Sequence, residues 1–173
     1  MGVREKLEVA LRSFDDQTRH DRIERIVWLA EYSSLPSAVM GRAETLHLLG
    51  EAREVFVQGQ HAAALLLAVA VIEHSLVEEL QLRGLIKGSP SLSEALVMAE
   101  KNAVLPSEWF PEIKELVLRR NPFAHLKSPN HEHGLGARVR AERTHPHLLI
   151  EEDARSAVIY MYKVFRATLH DIA

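Results

Sequence analysis

An unbroken apolar segment limits the fold of this chain more than any other feature of its sequence. Residues 62–72 are eleven apolar residues in a row, within a stretch, residues 61–83, that contains neither proline nor glycine. A helix that is apolar on all sides belongs in the interior of a protein. Eleven residues are too few to cross a bilayer, which takes about 20. The segment therefore predicts the buried central helix of a helical bundle.

The segments on either side predict the helices that pack around this centre. Before the central helix, residues 4–14 predict a short helix or arm, 16–33 a longer helix, and 38–58 a long helix that ends at Gly59. After it, residues 91–102 predict a helix that begins with a capping box at Ser91, and a further helix ends at Arg120. Residues 151–169 predict the last helix. Residues 128–147 have no clean periodicity and predict a long surface loop. No segment alternates apolar and polar residues as a strand does, so the predicted fold is all-α, a bundle of four or five main helices.

The chain divides at a cluster of turn-forming residues, 33–37, that contains Pro36. We therefore expect an N-terminal helical extension, residues 1–37, followed by one main domain, residues 38–173. One side of the second helix of the extension is predicted to face inward. That side carries Ile23, Ile26, Val27 and Ala30.

Composition narrows the class of protein. The chain has 173 residues, 47% of them hydrophobic, which is enough to bury the core of one main domain. It has no cysteine, which excludes disulfides, thiolate zinc sites and cysteine nucleophiles. The first eight residues are charged and lack the apolar core of a signal peptide, so we expect a soluble, cytoplasmic protein without membrane attachment.

Positive charge is concentrated in one part of the chain. Residues 111–143 contain seven basic and four acidic side chains, a local excess of +3 in a chain whose net charge is −3. A patch of this kind suits a phosphate ligand, although a solvated loop of ordinary composition would have the same charge. Arg119 and Lys127 are the predicted phosphate or RNA contacts in this stretch.

Arg120, in the same stretch, occupies a position that is predicted to face the core. Its neighbours three and four residues away are all apolar: Leu116, Val117, Phe123 and Ala124. A guanidinium cannot lose its proton in a protein, so in such a place it needs an acceptor nearby.

Pro122 predicts a break in the helix directly after Arg120. A proline disfavours helical backbone at the residue before it and fits the first turn of a new helix. Asn121 would then be the N-cap and Pro122 the first residue of the new turn. His125 would lie one turn in, close to the Arg120 head group.

The order Arg120-Asn121-x-x-x-His125 resembles the Arg-Asn-x-x-x-His signature of the HEPN superfamily. The bare Arg-x4-His spacing occurs at two other places, but only this instance has Asn after Arg, Ala before His and an apolar helix leading in. Two neighbouring helices, a variable region, the motif and a closing helix are also the order found in HEPN domains. The resemblance covers roughly residues 38–170 and implies a HEPN-like helical bundle.

Glu73 is the carboxylate that we expect Arg120 to contact. It lies in the central helix, and its neighbours three and four residues away are all apolar. Burial of a lone charge is costly, so Glu73 and Arg120 are predicted to pair, directly or through water. An acidic or polar residue in this helix is also a common feature of HEPN domains; a purely structural ion pair is the alternative.

The resemblance implies a metal-independent endoribonuclease with Arg120, Asn121, His125 and Glu73 as its catalytic set. The ribose 2′-hydroxyl would be the nucleophile, His125 a base or acid, and Arg120 the cation that stabilises the phosphorane. One histidine cannot be both acid and base, and HEPN relatives resemble dimers in which two motifs face each other, so a homodimer is expected. RNA is the expected partner, with no DNA specificity, no cofactor and no metal. The role would be that of a toxin, with an antitoxin protein as a further partner, or of a phage-defence component.

Other functions stay open. A HEPN-type domain can bind RNA, nucleotide or a protein partner without cutting, and a structural dimerising bundle would need Arg120 and His125 only for local contacts. The alternating histidines in residues 131–133 and 145–147 have the composition of a metal cluster. They lack a helical i, i+4 pair, so we expect them to be solvated. His47, His61 and His74 are expected to be ordinary interior or interface histidines.

Overall fold

The chain folds into α-helices, as the sequence predicts. A computed structural model describes residues 2–33 and 42–169, and none of these residues forms a strand. The described residues form the helices α1 (Val3–Ala30), α2 (Ala43–Val57), α3 (His61–Leu82), α4 (Leu92–Lys101), α5 (Phe110–Ala124), α6 (Leu135–Glu142) and α7 (Pro146–Ala167), with one short 3-10 helix (Ser107–Trp109) before α5.

Helix α3 is the centre of the bundle, and this prediction is confirmed. It packs against α2, α4, α5 and α7. Most of its apolar run lies in the main core, where Leu65 and Ile72 have no exposed surface. One face of the run is only half-buried, at Ala62, Ala63, Leu66, Leu67 and Ala70, so the surrounding helices cover most but not all of it.

Two helix boundaries are also where the sequence predicts them. Gly59 follows the end of α2 with φ +76, a left-handed conformation that glycine adopts without strain. Ser91 caps α4: its hydroxyl accepts from the Glu94 N–H, and the Glu94 carboxylate accepts from the Ser91 N–H in return. These hydrogen bonds lower the pKa of Glu94, the side-chain bond from Ser91 most of all.

The N-terminal region differs from the prediction. Residues 4–14 and 16–33 were expected to form two elements, but α1 is one continuous helix, since no proline or glycine interrupts it. The expected inward side is wrong as well, because all four of its residues are exposed, Ile23, Ile26, Val27 and Ala30. Leu29, which is 1% exposed, and the half-buried Trp28 face the bundle instead. The spacing of apolar residues predicted an apolar stripe along the helix. Only the last turns of α1 pack against the bundle, so most of that stripe stays exposed.

The segment after α5 is more regular than predicted. The expected loop at residues 128–147 contains α6, whose Arg138 binds Asp153 of α7 and so attaches this short helix to the bundle. Helix α7 begins at Pro146, five residues before the predicted start. Proline fits a first helical position, and His145 caps the helix by accepting the His147 N–H at Nδ1.

The predicted boundary between extension and main domain, at residues 37 and 38, lies outside the described residues, as does most of the turn cluster at 33–37. Leu29 belongs to the same apolar core as α2, α3 and α7. No helix in the described part of the chain is both long enough and apolar enough to cross a membrane.

Candidate functional site

Helix α5 carries the predicted motif and does not break within it. Pro122 lies inside the helix, which continues to Ala124, so Asn121 is not an N-cap and that prediction is wrong. A proline this near the end removes one hydrogen bond, and the helix stops two residues later. Phe123, which packs on the main core, keeps the last turn in place.

Arg120 meets Glu73, as the sequence predicts. Its Nη2 lies 3.6 Å from Glu73 Oε2, an ion pair slightly longer than a direct hydrogen bond. The Arg120 side chain is 18% exposed and that of Glu73 is 30% exposed, so the pair lies at the edge of the core. The Arg120 Nε is buried and has no hydrogen-bond partner among the residues that the structure describes. This guanidinium therefore keeps donor capacity that Glu73 does not use.

His125 ends the motif helix and is exposed. It is the C-cap of α5, with extended backbone (φ −139, ψ 133), and its N–H donates to the Asn121 carbonyl at 2.8 Å. Along a straight helix, a residue five positions on lies about 140° around the axis. Across the described ranges, no hydrogen bond or ion pair joins His125 to Arg120. The expectation that His125 lies close to the Arg120 head group depended on a break that α5 does not have.

A surface pocket of about 240 Å³ opens beside Glu73. Its lining residues are Arg42, Glu73, His74, Val77, Glu78, Ser89 and Pro90. Thr45 fixes one wall by donating to Glu78 Oε1 at 2.6 Å, and its hydroxyl lies 3.5 Å from His74 Nδ1. The pocket contains two carboxylates, Glu73 and Glu78, and one arginine, Arg42. Because carboxylates accept hydrogen bonds and repel anions, this lining suits a base or a ribose better than a phosphate.

The two predicted phosphate contacts differ in their surroundings. Arg119 donates to Glu115 and to Asp153, each at 2.9 Å. Burial alone would lower the pKa of Arg119, but these carboxylates outweigh it and raise the pKa, so the charge is neutralised locally. Lys127 is exposed, and in the described part of the chain it makes no ion pair. Of the two, only Lys127 has its charge free for an added anion.

Asp153 is a buried charge that the sequence analysis missed. Its side chain has no exposed surface, and it accepts from Arg119 of α5 and Arg138 of α6. The sequence signal is partial, because the residues three and four positions away are the apolar Leu149, Ile150 and Ala157 but also the polar Ser156. Residues 151–153 also suggest an acidic helix start, whereas they lie in the second turn of α7.

A second polar cluster joins the beginnings of α3 and α7. His61 Nε2 lies 3.9 Å from Glu151 Oε2, and His147 Nε2 lies 4.0 Å from the same oxygen. One ligand atom from each of the three residues falls within 4.8 Å of the others, which makes this a group that could hold a metal ion. Burial lowers the pKa of His61 to about 4, so its imidazole is neutral near pH 7, the form that binds metals.

Aromatic residues and an arginine enclose one side of this cluster. Arg155 donates twice to Glu151 Oε1, at 2.8 and 3.1 Å, and its guanidinium stacks 4.8 Å from the Trp28 ring. The Phe56 ring lies edge-on to His61 at 6.0 Å. The sequence held a helical signal here, His147-x3-Glu151, but a helix predicted to begin at residue 151 excluded it.

Comparison of the chain with models of protein families, with curated proteins and with solved structures found no match. The functional argument therefore depends on the chemistry of the side chains described above, and the HEPN resemblance stays a prediction.

Proposed function

We propose that this chain is a metal-independent endoribonuclease of HEPN type that cuts RNA at a site shared between two copies. The observation that carries the proposal is the Glu73–Arg120 pair, which fixes a partly exposed guanidinium on the helix that His125 terminates. A fixed cation and an exposed imidazole, brought together by two copies of the chain, are a combination that phosphoryl transfer uses.

The chemistry requires three groups besides RNA. The ribose 2′-oxygen attacks the adjacent phosphorus, and the bond to the 5′-oxygen breaks, leaving a cyclic 2′,3′-phosphate and a free 5′-hydroxyl. One His125 takes the proton from the 2′-hydroxyl, and a second His125, protonated, gives one to the departing 5′-oxygen. Arg120 stabilises the negative charge on the phosphorane oxygens. Asn121 orients the site, and Lys127 contacts the flanking phosphates.

Two copies are needed for this mechanism because each chain supplies one His125. The angular separation of Arg120 and His125 around α5 also favours a site in which Arg120 of one copy works beside His125 of the other. A two-fold axis would place the ends of the two α5 helices across one groove. The exposed apolar residues near the beginning of α1, which include Val3, Leu7 and Phe14, offer further surface for the second copy. A toxin or defence role, with an antitoxin that covers the groove, fits such an enzyme.

A binding module that does not cut is the second candidate, and the pocket beside Glu73 favours it. The pocket holds Glu73, Glu78 and Arg42, which can recognise a base or ribose by hydrogen bonds. In this alternative, Arg120 and Glu73 form a structural pair that shapes the pocket, and His125 is an ordinary surface residue.

The test is incubation of the purified full chain with labelled single-stranded RNA in excess EDTA. We expect cleavage by the wild type and losses of about 100-fold or more in Arg120→Ala and His125→Ala, because general acid–base groups contribute about 10²–10⁴-fold. Matched controls come from the other Arg-x4-His spacings, in which His47→Ala and Arg140→Ala change exposed residues and are expected to cleave like the wild type.

Three results would separate the candidates. Cleavage that both site variants lose supports the nuclease. Wild-type binding of RNA or nucleotide without cleavage, weakened by Glu73→Gln, selects the binding module. A chain that forms a dimer but neither binds nor cuts RNA would support the structural dimerising bundle.

A further inference from the structure

We propose that His61, His147 and Glu151 form a binding site for a divalent transition-metal ion, with Zn²⁺ as the best match. Two imidazoles and one carboxylate are a common zinc ligand set. Catalytic zinc sites have three protein ligands and a solvent molecule in the fourth position, whereas structural zinc sites have four protein ligands. The ion is not part of the proposed RNA cleavage, which needs no metal.

The distances between the ligand atoms are near those that zinc requires. Ligands at about 2.0–2.2 Å from a tetrahedral ion lie about 3.3–3.6 Å from one another. Two of the three separations, 3.9 Å from His61 and 4.0 Å from His147 to Glu151 Oε2, exceed this by about half an ångström, and all three ligand atoms lie within 4.8 Å of one another. The His147 side chain is 58% exposed and can turn toward the other two ligands without moving the backbone.

His61 gives the independent indication that something binds here. Its side chain is 1% exposed, and within residues 2–33 and 42–169 neither ring nitrogen has a hydrogen-bond partner. Buried polar groups are nearly always satisfied, so an imidazole with both nitrogens unpaired is exceptional. A metal ion between His61, His147 and Glu151 would accept the lone pair of the deprotonated ring nitrogen and so satisfy one of the two.

Arg155 prepares the carboxylate for a ligand. It holds Glu151 Oε1 through two hydrogen bonds, which leaves Oε2 directed at both histidines. Outer contacts of this kind orient the first ligands in known metal sites. Stacking of Arg155 on Trp28 fixes the arginine in turn.

The site is separate from the proposed nuclease centre. His61 is the first residue of α3 and Glu73 lies twelve residues further along, which is about 18 Å at 1.5 Å per residue. Loss of metal binding would therefore leave RNA cleavage in EDTA intact, and failure of the nuclease proposal would not affect the metal site.

The chain contains a matched control for the metal site. His47 and Glu51 of α2 also form an exposed helical His-x3-Glu pair, with Nε2 and Oε1 3.6 Å apart. Within the described residues, His61, His147 and Glu151 are the one set of three metal-binding side chains whose ligand atoms lie within 4.8 Å of one another. The His47–Glu51 pair has no third such residue there. If a helical His-x3-Glu pair sufficed, both pairs would bind equally well.

The experiment is a calorimetric titration of the full chain, freed of metal by chelation and dialysis, with Zn²⁺ alone. We expect one strong site per chain in the wild type and in His47→Ala. In His147→Ala, which changes an exposed side chain, the affinity should fall about 100-fold or more, since even outer-shell changes cost about 10–100-fold. Circular dichroism should show that His147→Ala keeps its helical content.

A second measurement reports the ligands directly. Co²⁺ in place of Zn²⁺ should give the visible absorption of a four- or five-coordinate ion in the wild type and lose it in His147→Ala and Glu151→Gln. The proposal is overturned if the wild type takes up no Zn²⁺ at micromolar concentration, or if His147→Ala binds as tightly as the wild type. It is also overturned if His131→Ala removes the strong site, since the metal would then lie among the histidines after α5.

Discussion

Asp153 presents a fully buried carboxylate to two arginines that come from different helices. Arg119 belongs to α5 and Arg138 to α6, so this one side chain connects three helices. The arginine side chains are 24% and 11% exposed, which means that most of the surface of the ion cluster is removed from water. When one member of such a cluster is lost, the others become buried, uncompensated charges.

We therefore expect Asp153→Asn to destabilise the fold by about 3 kcal/mol, near the lower end of the range for broken buried ion pairs. The adjacent, exposed Glu152 supplies the control, and Glu152→Gln should stay within about 0.5 kcal/mol of the wild type. Urea denaturation followed by circular dichroism measures both values. Equal midpoints for the two variants would show that Asp153 does not hold the arginines as described.

At the scale of single residues, the sequence predicted the Glu73–Arg120 ion pair but missed the ion cluster around Asp153. Glu73 and Arg120 were predictable because each is a charge among apolar helical neighbours, and each charge needs the other. Asp153 has apolar residues at three of the four positions three and four residues away and Ser156 at the fourth, and it stands in a run of acids that suggests a helix start. His61 gave no signal of its own, because an unpartnered ring nitrogen is a property of the packed structure and cannot be read from neighbours in sequence.

At the scale of helices, a residue that signals a helix end in the sequence set the observed boundary only where packing did not oppose it. Gly59 and Ser91 acted as predicted, because a left-handed glycine and a capping box satisfy the backbone without outside help. Pro122 did not end α5, since the loss of one hydrogen bond is small beside the contacts of Phe123 with the core. Helix α6 was not predictable from periodicity, because its attachment is ionic, through Arg138.

Helix α1 makes its contacts with the bundle near its C-terminal end, and neighbouring residues there allow a direct test. Leu29 is 1% exposed in the main core, whereas Val27 is 59% exposed on the same helix. Leu29→Ala should cost about 2–5 kcal/mol, the usual range for a buried leucine. Val27→Ala should change the stability by less than about 0.5 kcal/mol, because it removes little buried surface.

Thermal and urea denaturation of the two variants would measure this difference. A Leu29→Ala protein as stable as Val27→Ala would mean that α1 is dispensable to the core, as an independent extension would be. A large difference would place at least the last turn of α1 in the folding unit of residues 42–169.

Over the whole molecule, helix α3 contributes to both proposed sites, with His61 at its beginning and Glu73 past its middle. His61 meets α7 at one place, and Glu73 meets α5 at the other. The apolar run that made the fold predictable separates the two sites, because residues 62–72 leave no polar path between them. Each site can therefore be altered without the other, and each proposal can fail alone.

A site shared between two copies makes a prediction that no single variant can test. An equal mixture of wild-type and His125→Ala chains that pair at random gives about one quarter wild-type dimers, one half mixed dimers and one quarter variant dimers. A mixed dimer contains a single His125, so it lacks either the base or the acid and should be inactive. The mixture should therefore cut at about a quarter of the rate of the same total amount of wild-type chain. The measurement is RNA cleavage in EDTA after the two chains are unfolded together and refolded. The control is the same two chains refolded apart and then combined, which should keep about half of the wild-type rate. A co-refolded mixture that also keeps about half of the wild-type rate would show that one His125 per dimer suffices or that each chain acts alone.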